Sequence, residues 1–204
     1  LWVNQSSFLI EGINPYVLEA EAGFEADYYA KYPPLFYYLI TFFGLLTNFS
    51  YLAPKLMIYL FDLLNLVIFY QIGLRIFDKD FSIQCVIFYT FNPFHLYLFI
   101  IDTNEIITTF FTLLAMYFII IKKYYYSSIF LALGISFKLY PVFFLIPITI
   151  YMFRNIKERR IMKILLYYLL IFIIYLLLSL PFLIISPLAY LDKLFLHTIR
   201  RNIG

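Results

Sequence analysis

The chain has 204 residues, of which 64% are hydrophobic and 23% aromatic, with a net charge of +3 and a mean hydropathy of +0.88. An ordinary soluble domain is about 45–50% apolar, and a chain this short cannot hide so much apolar surface from water, so a soluble globular domain is excluded. The apolar runs are of helix length rather than alternating segments of about ten residues, which excludes a membrane β-barrel and makes the fold class all-α: a polytopic transmembrane helical bundle.

Residues 1–34 form a first external loop region with five acidic groups, Glu11, Glu19, Glu21, Glu25 and Asp27, and one lysine. Within it, Leu1 to Glu11 reads as an amphipathic helix on the membrane surface, with Leu1, Phe8 and Leu9 on one side and Asn4, Gln5 and Ser7 largely on the other. Gly12 and Pro15 stop it. Pro33 and Pro34 then fix their own φ angles and push Tyr32 into an extended conformation before a new helix starts. That helix, 35–48, spans about 21 Å, short of the roughly 30 Å hydrocarbon core. Its length permits either a crossing or a shallow path; counted back from the basic loops that follow, beginning with 75–80, residue 54 and the acidic leader both fall on the outer face, so residues 35–53 are read as an interfacial or re-entrant segment.

The transmembrane bundle is placed at 54–185. Segments 54–74, 82–101 and 103–121 are each long enough to cross, as is 163–185. The run 127–153 is interrupted by Lys138 and Pro141 and reads either as one long helix or as a hairpin of two short ones. With a hairpin, the loops at 75–80, 122–126 and 154–163 share one face. The last holds Arg154, Lys157, Arg159, Arg160 and Lys163 against Glu158 alone, so that face is expected to be cytoplasmic. The hairpin is then re-entrant, which is tolerated only where protein or a water-filled cavity covers its free backbone groups. On this count the amphipathic leader, Asp102 to Glu105, Lys138 and a tail at 186–204 all come to the outer face.

The basic residues sit in short loops, which positive-inside placement explains; no nucleic-acid partner is expected. Cys85, the single cysteine, lies among Val86, Ile87 and Phe88 and reads as a small buried hydrophobe, which excludes intrachain disulfides and cysteine metal sites. His95 has no second histidine near it in sequence. Asp62 and Asn65, three apart on one helical face, read as a helix-pairing device.

An unpaired ammonium at Lys138, between apolar runs, would be costly and marks a functional site; its bland alternative is a helix-end lysine reaching water. Lys31, stiffened by the prolines after it, is either a phosphate contact or a snorkelling lysine. Asp102, Asn104 and Glu105 either orient substrate, hold a divalent metal or pair with Lys138, or else form a solvated turn with Asp102 or Thr103 as N-cap. Arg200 and Arg201 suit phosphate geometry or form a basic surface tail.

Taken in order, Gly12-x-Asn14-Pro15-Tyr16, Lys31-Tyr32-Pro33-Pro34-Leu35, Phe61-Asp62-Leu63-Leu64, Asn92-Pro93, Asp102-x-Asn104 and the stretch from Ala132 to Pro141 resemble the GT-C glycosyltransferases. These are integral membrane enzymes using polyprenyl- or dolichyl-phosphate sugars. The resemblance implies a GT-C-like bundle in the plasma membrane or endoplasmic reticulum, multi-pass, with its active face outside or lumenal. It implies transfer of a hexose, mannose or glucose, from a polyprenyl-phosphate donor to a hydroxyl of a glycan or glycolipid acceptor, amid membrane lipid. Lys31, Tyr32, Asp102, Asn104, Lys138, Arg200 and Arg201 are then the substrate-binding candidates. No metal ligand and no cofactor is assigned, a divalent ion being left open. The family's first helix and catalytic Asp are expected upstream of Leu1, and later helices beyond Gly204. The rival expectation is a small transporter or lipid-binding membrane protein with Asp62 and Lys138 on a permeation path, for which inverted repeats would be the mark.

Overall fold

The computed structural model describes residues 7–17, 32–100 and 103–191, except for the side chains of 98–100. Among them the regular elements are helical: α1 (Pro34–Leu46), α2 (Leu52–Ile76), α3 (Lys79–Phe91), α4 (Pro93–Ile100), α5 (Glu105–Ile120), α6 (Tyr124–Phe137), a 3-10 turn (Tyr140–Phe144), α7 (Leu145–Asn155), α8 (Arg160–Ile185) and α9 (Pro187–Leu191). Helices α2 and α8 are long and apolar enough to cross a membrane. The architecture is the all-α membrane helical fold that the composition demands. The chain divides into two compact units, 1–57 with 176–204, and 58–175.

The first unit is built around aromatic rings. Gly12 takes φ 73°, a left-handed value that suits glycine, and the Asn14 side chain accepts the Tyr16 N–H at 3.0 Å, so the Gly-x-Asn-Pro-Tyr stretch is a turn that drives Tyr16 inward. Its ring meets those of Tyr37, Phe182 and Tyr190 edge-on at 5.5, 5.0 and 4.9 Å, and all four are buried. The Tyr16 hydroxyl is satisfied by the Tyr32 carbonyl at 2.7 Å. Pro181 lies inside α8, where a missing N–H disturbs the carbonyls one turn back. The nearby Leu178 carbonyl accepts the Tyr38 hydroxyl at 3.0 Å.

The second unit corrects two sequence expectations. Segment 82–101 is not one helix. Asn92 is extended (φ −65°, ψ 123°), as a residue before proline tends to be, and its Oδ1 accepts the Phe94 N–H at 2.9 Å; Pro93 opens α4 instead, the first helical position being where proline costs nothing. The second correction concerns the loop at 75–80. Phe61 of α2 meets Phe110 and Phe111 of α5, while Asn65, one turn later in α2, bonds Ile106, one turn earlier in α5. The two helices therefore run in opposite directions where they meet. The turn after α2 lies toward the Glu105 end of α5, away from Lys122 and Lys123. The count that makes residues 35–53 re-entrant starts from that loop and loses its premise.

Helix α3 folds back along α2, begun by Asp78, whose Oδ1 accepts the Phe81 N–H at 2.8 Å. Contact is close at Gly73, where a Cβ would stand 2.8 Å from Ser82 Oγ. Beyond it, α5 and α6 form an antiparallel pair joined by Ile121 to Lys123. Of the two readings of 127–153, the broken one holds: Pro141 cannot supply the N–H that would bond the Phe137 carbonyl, and Lys138 leaves the helix at φ −148°, ψ 146°. The chain then returns along α7, so that Ser127 meets the Tyr167 hydroxyl at 3.0 Å and Thr149 meets that of Tyr168 at 2.6 Å. Ala115, Leu131, Met152 and Ile171 belong to the apolar core that α5 to α8 share.

Candidate functional site

The start of α5 and the end of α6 bring acid and base together. Lys138, where α6 gives way to extended chain, hydrogen-bonds Oε1 of Glu105 in the first turn of α5. The Tyr140 hydroxyl donates to the other carboxylate oxygen, Oε2, at 2.8 Å. Both oxygens of Glu105 are thus engaged, one by a cation and one by a neutral donor. The Lys138 side chain is 18% exposed and that of Glu105 35%, a half-buried pair at a helix break. Burial first, then the hydrogen bond and charge of Glu105, hold the Tyr140 phenol above its usual range. Asn104, at the N-cap of α5, makes no side-chain cap bond. It is 2% exposed, and its buried Nδ2 has no hydrogen-bond partner among the described residues.

A second polar cluster lies deeper. His95 Nε2 and Asp62 Oδ1 are 2.8 Å apart, and the Tyr89 hydroxyl donates to the same oxygen at 3.2 Å. The two rings sit 4.2 Å apart. One turn along α2, fully buried Asn65 donates its Nδ2 to the Ile106 carbonyl at 2.8 Å. Asp62 and Asn65 therefore tie α2 to α3, α4 and α5, the helix-pairing role their spacing suggests. Because Ile106 follows Glu105, Asn65 also fixes the turn that carries the acid.

Of the sequence candidates, Asn104 and Lys138 fall at this site. Tyr32 belongs to the other unit, where its ring stacks on Phe36 at 4.3 Å and its carbonyl holds Tyr16. Lys31, Asp102, Arg200 and Arg201 lie outside the described residues. Glu105 is the carboxylate that takes Lys138, one of the options its position left open. Tyr140 is a site residue that sequence reasoning missed; its neighbour Pro141, which forces the break, was the signal. No group of three or more His, Cys, Asp or Glu able to hold a metal ion occurs among the described residues.

A family model for dolichyl-phosphate-mannose-protein mannosyltransferases matches residues 31–185, more than half of the chain. The chain belongs to this family. Membership carries a glycosyltransferase-type activity in a membrane setting, and the match runs from Lys31 through the Glu105–Lys138 site to the end of α8. No curated protein matches the chain. Asp62, which the transporter reading placed on a permeation path, is held by His95 and Tyr89. The mannosyltransferase family is thus the frame for reading the Glu105–Lys138–Tyr140 cluster.

Proposed function

We propose that the protein transfers a hexose, mannose in the first instance, from a polyprenyl phosphate to a hydroxyl of a protein or glycan acceptor on the outer or lumenal face. In this reading Lys138 meets the phosphate as it leaves. The acceptor oxygen forms a bond to the anomeric carbon while the bond from that carbon to the phosphate oxygen breaks. The acceptor proton passes to a carboxylate base, and negative charge accumulates on the departing phosphate. A preorganised cation at the place where charge develops is an effective stabiliser of such a transition state.

The observation that carries the reading is the position of Lys138, held at the helix break by Glu105 while Tyr140 holds the other oxygen of that acid. An ammonium has three donors, so the pairing aims the group without making it unfit for a phosphate oxygen. The buried Asn104 Nδ2, next to Glu105 in the chain and without a partner among the described residues, supports the same reading, because a buried donor left unsatisfied is costly and a sugar or phosphate oxygen would satisfy it. We assign the acceptor's base to no described residue. Lys31, Tyr32, Asp102, Arg200 and Arg201 are proposed as further substrate contacts on sequence grounds.

The test is Lys138→Ala in the full-length protein, assayed in membranes with dolichyl-phosphate mannose. Transfer is expected to be abolished with membrane insertion intact. Unchanged turnover removes Lys138 from the site.

A further inference from the structure

At the other end of α5 and α6 from Lys138, the turn between these helices and the opening turns of α8 enclose a cavity of about 530 Å³, lined by Lys122, Lys123, Lys163 and four tyrosines, Tyr167 among them. Every charge on its wall is positive, and no carboxylate lies within hydrogen-bond reach of the three lysines among the described residues. Lys122 is held at φ 60°, a left-handed conformation uncommon outside glycine. Lys123 lies over the Tyr126 ring at 5.8 Å. The floor is fixed: Tyr167 is 2% exposed, part of the apolar core, and bonded through its hydroxyl to Ser127. The first turn of α6 has no acidic residue and no side-chain cap, so its positive end adds to the lysines.

The geometry points to a binding site for a phosphate group, supplied by the headgroup of an anionic membrane lipid. Three ammonium groups around one cavity repel one another until an anion neutralises them, and phosphate oxygens accept from lysine as a point charge. The tyrosines suit the same occupant, since an amphipathic ring sits where acyl chain gives way to headgroup. Tyr125 and Tyr126 are more than half exposed beside the cavity. Lys163 stands in the first turn of the membrane-length helix α8, the depth at which a headgroup lies. Lys157, Arg159 and Arg160 line a second, neighbouring concavity and extend the attractive surface. Basic pockets between membrane helices hold anionic headgroups elsewhere by the same electrostatics. The site is independent of the transfer reaction.

The test measures how much phosphatidylglycerol and phosphatidylcholine the purified protein retains, by native mass spectrometry. Wild type is expected to keep phosphatidylglycerol at least about tenfold better, because three lysines attract an anionic headgroup over a zwitterionic one. Lys122→Gln, Lys123→Gln and Lys163→Gln combined should lose that preference, while arginine at the three positions keeps it and shows that the fold tolerates change there. Equal retention of the two lipids by wild type, or full retention by the glutamine variant, overturns the proposal. So does an equal loss on changing Lys157 and Arg159 instead, which would mean a diffuse basic surface. Thermal protection by inorganic phosphate with no lipid preference would keep the phosphate site and overturn the lipid as its source.

Discussion

The two ends of the α5–α6 pair treat lysine in opposite ways. Lys138 is given a carboxylate, and that carboxylate is given a tyrosine, so one cation is fixed in place. Lys122, Lys123 and Lys163 are given a cavity and aromatic walls. The difference teaches what each end is suited to. A cation that must meet a transient charge has to be positioned before the reaction, because reorganisation costs what the charge would gain. A cluster without its own acid is incomplete until an outside anion arrives. If the comparison is right, the acid beside Lys138 is a positioning group, and its loss should be felt in turnover but not in lipid retention.

The sharpest break of that comparison is Glu105→Gln, which keeps an acceptor for Tyr140 but leaves Lys138 without its charged partner. Hydrogen bonds to charged groups are worth about 1.5–3 kcal/mol, so transfer is expected to fall about 10–100-fold, read as initial rate in membranes. Phosphatidylglycerol retention should not change. Next comes Asn65→Ala, which removes the buried bond from α2 to the Ile106 carbonyl. The expected cost is about 1–3 kcal/mol, seen as a lowered thermal midpoint in detergent, with a smaller loss of transfer because the turn bearing Glu105 is less constrained. The smallest effect belongs to Tyr140→Phe. It deletes a neutral donor to the charged Glu105, a bond at the low end of about 1.5–3 kcal/mol because it is exposed, and it reaches Lys138 only through that acid, so transfer should fall about tenfold or less, and the loss should shrink when Glu105 is already Gln.

How much of this was legible in the sequence varied with how local the cause was. Helices α2 and α8 announce themselves as long apolar runs, and the break at Lys138 follows from Pro141, four residues past the carbonyl it cannot serve. The break at Asn92-Pro93 rests on the same chemistry, yet it is masked in sequence because 82–101 carries no Asp, Glu, Lys or Arg and is long enough to cross as one helix. The loop at 75–80 misled because its signal is weak: it holds two basic residues, Arg75 and Lys79, where 154–163 holds five, too small a bias to fix an orientation by itself, and the contacts of Phe61 and Asn65 show which way α2 runs. The site was half legible. A lysine between apolar runs is conspicuous, and Glu105 stood among its possible partners. Tyr140 is one of 21 tyrosines, and its place directly before Pro141 is the one sequence sign that sets it at the helix break. Asp62 and His95 are 33 positions apart, a pairing no local pattern encodes. The three cavity lysines were visible only as loop charge, because Lys163 joins the other two through the return of the chain along α7.

The most direct test of the account is the transfer kinetics of Lys138→Ala and Lys138→Arg in the full-length protein, with dolichyl-phosphate mannose as donor. Removal of a positioned transition-state partner costs about 10²–10³ in turnover. The alanine variant should therefore lose at least that much in kcat with normal membrane insertion, and the arginine variant should recover part of it. Wild-type kcat in the alanine variant, or a loss confined to protein level, would contradict the assignment of Lys138 to the departing phosphate.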